Sequence, residues 1–288
     1  MKVRWQQMSK GFGIFAQNVT NEGYECDYLR QAYALALSIK IYCGKDQKVF
    51  VMTDAEVPEK YKQVFDDIVE IPWGDMAENS LWKIENRWKM YHMSPYNETI
   101  VMDADCLVTR DITHWWDILE GRSVCYASEP MTYTGQAMTS NYYRKTFVAN
   151  DLPMVYNTVH YFKKSDKAKA FYEMVEIIVN NWEEFYLRYA PEKYQKWSSM
   201  DLNCAIAAKL LGMQDEIVDP NFIPFIHMKP RSQGWNSVPN KWTNVIGSYI
   251  SNDGVVKLGN HRIDDVLHYV EDEFLTDKKI AVLEGLYK

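Results

Sequence analysis

The chain has 288 residues, 47% apolar and 25% charged, enough for one large hydrophobic core or two small ones and with nothing of disordered composition. Its net charge of −7 argues against general affinity for nucleic acid, because a phosphate-binding surface needs clustered Lys and Arg. Five cysteines without a CxxC pair imply neither a disulfide framework nor a zinc ribbon, and no apolar window reaches membrane-span length, so a soluble cytoplasmic protein is expected.

Taken in order, residues 11–17 (GFGIFAQ) predict a first strand and 18–27 a polar loop; residues 28–40 place Leu29, Ala32, Ala36 and Ile39 on one helical face. Residues 47–53 read as a second strand ending in Asp54, followed by an amphipathic helix over 58–67 and a short third strand at 69–71. Strands alternating with helices over short connections predict a parallel sheet covered by helices. Ligands of such sheets sit at the carboxyl ends of the strands, which would gather Asn18, Asp54, Asp103 and Asp105 on one rim. No GxGxxG or GxxxxGK[ST] follows the first strand, so neither a dinucleotide fingerprint nor a P-loop is present. Residues 81–93 read as a helix carrying Lys83, Arg87 and Lys89, either a solvated basic face or cations set to neutralise anions or clamp a diphosphate.

Residues 99–111 (TIVMDADCLVTRD) organise the rest. A β-branched apolar run reads as a strand buried on both faces, and Asp103 and Asp105 arrive where it should end. Residues two apart in an extended chain project to the same side, and two anions placed so repel unless a metal or base neutralises them. Oxygen ligation favours Mg2+ or Mn2+. A plain strand-end turn with two solvated aspartates remains the alternative. Beyond it, 113–120 read as a helix, 123–127 as a strand, and 131–153 as a long polar, aromatic loop of the kind that forms lids. Residues 166–187 carry a long helical pattern, and Asp201 within 197–203 (WSSMDLN) stands at the start of an apolar helix as a cap or a functional carboxylate. Short strands follow at 222–228, 245–250, 255–258 and 266–269, with NDG at 252–254 as a hairpin turn. His227 and His268 lie at strand ends, each either a satisfied core residue or a ligand.

In its frame of apolar flanks, Asp103-Ala104-Asp105 resembles the hhhDxDxxh signature of GT-A glycosyltransferases, most closely family 8 and its phage and bacterial relatives. The resemblance implies one α/β domain over 1–288 with a GT-A-like, Rossmann-like, mostly parallel sheet and a small mixed β subdomain toward the C-terminus. About 1–130 would form the nucleotide-binding half and 131–288 the acceptor-binding half. It implies metal-dependent transfer, with retention, from a nucleotide-diphosphate sugar, a UDP-sugar, to a carbohydrate or other hydroxyl. By the same resemblance Ala16, Gln17, Asn18 and Tyr28 match the positions that hold the base, with Asp54 near base or ribose, and Asp103, Asp105 and His268 on Mn2+ or Mg2+, while Lys89 is the cation expected to bind the donor. Tyr156, Asn157 and Thr158 resemble the family's FNSG element, although Val159 replaces its small residue. Asn157 and Asp201 would then be catalytic, and His227 with Lys229 would face the phosphates or the acceptor. Rival readings are an Asp-nucleophile phosphatase, against which Leu107 stands in the Thr or Val position of DxDx[TV], and a non-catalytic carbohydrate-binding module.

Overall fold

The computed structural model describes residues 9–21, 24–77, 83–138, 144–193, 195–219, 225–233 and 241–288. Its central sheet has six strands, in the order Asp67–Glu70, Val49–Thr53, Lys10–Ala16, Glu98–Asp103, Tyr156–Lys163 and Val124–Ala127. The first four run parallel, and Tyr156–Lys163 is antiparallel to both its neighbours. The sheet is therefore mostly parallel, as the alternation of strands and helices predicts.

Both faces are covered, which is why these strands read as near-continuous apolar runs. Ile14, Val51, Ile100 and Met102 enter one core with Leu35 and Ile39 of the helix Tyr28–Cys43. Phe15, Phe50, Met52 and Val101 point the other way, into a second core with Phe171 and Val175 of the helix Asp166–Asn180 and Leu202 and Ile206 of Met200–Leu210. The split follows strand alternation residue by residue. Gly13 leaves room in the second core for its neighbour, since a Cβ there would lie 2.6 Å from the Phe50 ring.

Toward the C-terminus the chain makes two small sheets, in agreement with the mixed subdomain expected there. Ser248–Ile250, Val256–Leu258 and His261–Ile263 form an antiparallel meander, whose first turn contains Gly254 at φ 86°. Ile226–His227, Val266–His268 and Cys106–Val108 form the other sheet, and the second of these strands is antiparallel to the third.

Several elements differ from their sequence pattern. The helix expected over 58–67 is only Glu59–Lys62, because the chain then turns into the edge strand Asp67–Glu70. Within 81–93 the described helix is Lys89–Met93, and residues 78–82 lie outside the described residues. The pattern at 166–187 is two helices, Asp166–Asn180 and Trp182–Tyr189, broken where Asn181 adopts φ −136°. The segment 131–153 holds the short helix Lys145–Ala149, with 139–143 outside the described residues. In the expected polar loop 18–27, Val19–Asn21 pairs with Tyr24–Cys26.

Candidate metal and donor site

Asp103 closes the central strand and the turn brings Asp105 beside it, after which Cys106–Val108 leaves the main sheet to pair with Val266–His268. That register sets His268 opposite Cys106, and the Tyr269 amide donates to the Asp105 carbonyl at 3.0 Å. Sequence positions 163 apart are thereby joined: His268 Nε2 lies 3.0 Å from Asp105 Oδ2 and 3.9 Å from Asp103 Oδ2. One ligand atom from each of the three falls within 4.8 Å of the others. Two carboxylates and an imidazole are a donor set for a hard or borderline divalent ion, and the nitrogen tilts the choice toward Mn2+ over Ca2+. Asp103, Asp105 and His268 together could hold such an ion.

Electrostatics agrees. Burial raises the Asp103 carboxyl above its usual range, against the pull of the Arg87 guanidinium 2.7 Å away. Burial also pushes Asp105 up, but His268 and Arg87 outweigh it and hold the carboxyl below its usual range. For His268 burial acts downward, and the two aspartates reverse it. Burial, then His268 and the cations Lys229 and Arg144, keep His227 neutral. His227 is the register partner of His268 in the parallel strand pair, which places the two Nδ1 atoms 2.9 Å apart.

These residues line a cavity of about 470 Å3 at the carboxyl end of the sheet. Phe15, Gln17, Tyr28, Lys83, Arg87 and Lys229 share it with Arg144, Tyr156, Thr158, Trp197 and Asp201. Asp201 lies in the first turn of Met200–Leu210, where the helix dipole favours an anion. One of its oxygens takes the Asn157 backbone amide at 2.7 Å and the other Arg144 Nη2 at 3.0 Å. Arg144 in turn lies over the Tyr156 ring, its Cζ 3.4 Å from the centroid.

Other predicted residues fall elsewhere. The Asn157 carboxamide is buried against Cys204 Sγ at 3.6 Å and does not line the cavity; only its backbone amide meets Asp201. Lys89 is fully buried and donates to the carbonyls of Pro72 (2.9 Å) and Gly74 (2.6 Å) and to Asn86 Oδ1 (2.7 Å), so it braces the loop before it rather than facing the cavity. Asn18 accepts from the Leu29 amide at 3.0 Å at the start of the first helix. Asp54 accepts from Gln17 Nε2 at 2.8 Å, and Ala16 and Ala104 are buried. Arg144 was invisible as a site residue in the sequence: it sits in an irregular segment and becomes one only through contacts with Tyr156 and Asp201.

The four parallel strands, the antiparallel fifth and the Asp-Asp-His cluster at the central carboxyl end decide the architecture. The fold is GT-A. No protein-family model and no curated protein matches the sequence. Among solved structures this GT-A chain is similar to the galactosyltransferase LgtC in complex with donor and acceptor sugar analogs, at TM-score 0.54 and 13% identity over 97% of this chain and 95% of that one. An active-site mutant of LgtC matches at TM-score 0.53 and 13% identity over 96% and 95%. The apo bifunctional glycosyltransferase WbbM matches at TM-score 0.51 and 12% identity over 97% of this chain, which spans 50% of the WbbM chain.

Proposed function

We propose that the chain transfers a sugar from a nucleotide-diphosphate donor, with UDP as the nucleotide, to a hydroxyl of a carbohydrate or similar acceptor, with metal dependence and retention at the anomeric carbon. The observation that carries this reading is the Asp103, Asp105 and His268 cluster in a cavity that also presents Lys83, Arg87 and Lys229. A divalent ion held by the three supplies Lewis-acid stabilisation for charge growing on the departing diphosphate. Arg87 fixes Asp103, and Lys229 lines the same cavity as a cation for phosphate oxygens. Gln17, just past the carboxyl end of the first strand, and Tyr28 line the cavity where the base would lie. Trp197, 45% exposed, offers a flat face for the acceptor sugar.

Of the carboxylates among the described lining residues, Asp103 and Asp105 belong to the cluster and Asp201 is engaged by Arg144 and the Asn157 amide. That favours acceptor attack on the face the diphosphate leaves, the hydroxyl proton passing to a phosphate oxygen. The phosphatase reading fares worse, since Asp103, the residue it would use as nucleophile, is ion-paired with Arg87. No described helix is long and apolar enough to cross a membrane, which is compatible with cytoplasmic action.

The test is release of nucleoside diphosphate from a panel of nucleotide sugars with Mn2+, compared with the Asp105→Asn variant. UDP should appear from one UDP-sugar, and the variant should lose about a hundred-fold in rate or more while melting like the parent, because an amide cannot supply the ligand charge. No release from any donor, or a variant within a few fold of the parent, would sink the reading.

A further inference from the structure

His268 enters the cluster through Nε2, which leaves Nδ1 turned away from the aspartates. A neutral imidazole that gives Nε2 to a metal carries its proton on Nδ1, and in a buried place that N–H needs an acceptor. Two lie within reach: Thr158 Oγ1 at 3.3 Å and His227 Nδ1 at 2.9 Å. The strand register favours the second contact, because Ile226–His227 pairs with Leu267 and His268 in parallel and sets the rings side by side, centroids 4.8 Å apart and planes 28° off parallel. Both side chains are largely buried, at 8% and 7% exposure, where the cavity meets the small sheet.

We infer that His227 is a positioning residue: with its own proton on Nε2, it accepts the Nδ1–H of His268 and holds that ring in the tautomer and orientation that offer Nε2 to the metal. Ligating histidines commonly give their second N–H to a carboxylate, a carbonyl or water. Here a second imidazole takes that part. The inference rests on the metal reading above. It gives His227, which also lines the cavity, a role toward the ligand.

Mn2+ affinity, followed by the spectrum of the free ion with no nucleotide present, tests it in three variants. His227→Phe keeps a flat ring but removes the acceptor and should weaken binding about ten-fold or more, whereas His227→Asn returns an acceptor oxygen near the Nδ1 position and should stay within about three-fold of the parent. Melting in chelator should be alike for both. Parent-like affinity in His227→Phe, or equal losses in both variants, overturns the positioning role. His268→Ala separates the two layers of argument: if it binds Mn2+ as tightly as the parent, the metal site itself is wrong, and if it alone loses binding, only the role of His227 is. Should the Phe variant fail to fold, the nitrogen-15 spectrum of the Mg2+-loaded parent decides, with His268 protonated at Nδ1 and His227 at Nε2 expected and the opposite tautomers overturning the inference.

Discussion

At the scale of single residues, Lys89 is the cation whose place says most about what sequence can reveal. Its ammonium is spent on two carbonyls and Asn86 Oδ1, and the loop it braces carries Trp73 at φ 58°, a conformation that an L residue rarely holds without support. Lys89→Met should therefore destabilise the protein by about 1–3 kcal/mol, since it takes a donor from two part-buried carbonyls and from the buried Asn86 Oδ1. Thermal unfolding measures the loss, and donor affinity at a temperature where the variant remains folded should be unchanged. A large drop in donor affinity with parental stability would return Lys89 to the cavity. Asp103 and Asp105 were legible because their signal is local, two carboxylates at the end of one apolar strand. The His268 contact depends on a strand pairing across 163 positions, and spacing along the chain carries no trace of such an approach.

At the scale of elements, the strands of the central sheet were the most readable part of the chain because burial on both faces writes itself as consecutive apolar residues. Helix lengths were less so. Periodicity continues across Asn181, but its side chain donates to the Ile177 carbonyl at 2.9 Å and the backbone leaves the helical region there, so one apolar stripe belongs to two helices. The first strand carries a packing rule that the sequence did not announce. At Gly13 an added Cβ would stand 2.6 Å from Phe50 Cε1 and 2.9 Å from Met90 Cε. Gly13→Ala should cost about 1–3 kcal/mol by overpacking, and adding Phe50→Leu should recover part of that, a non-additive result because the two side chains share one space. Chemical denaturation of the single and double variants gives the coupling; strictly additive losses would mean that the sheet shifts to make room without regard to Phe50.

At the scale of the whole molecule, stability in acid depends in part on two histidines that fold neutral. His160 is wholly buried, stacked on Tyr126 with planes 9° apart, and burial drives its pKa down to about 3. His92, packed among Trp73, Trp88 and Tyr91, is lowered to about 4 by burial and then by Lys164. The unfolded chain takes up both protons near the ordinary histidine value of about 6.5. Between that pH and the folded values the unfolded state binds more protons, so stability is fully present above about 6.5 and falls as the solution is acidified, by up to about 1.4 kcal/mol per pH unit for each ring. His92 Nε2 has no hydrogen-bond partner among the described residues, so a phenyl ring can replace the imidazole in its aromatic surroundings. His92→Phe should accordingly leave stability near pH 7.5 within about 1 kcal/mol of the parent while removing close to one proton from the acid slope between pH 6 and 4.5. Unfolding free energies by denaturant titration across that range, in chelator, measure both quantities. A slope equal to that of the parent would mean that His92 already protonates in the folded state, and the packing of Trp73 and Trp88 around a neutral ring would have to be abandoned.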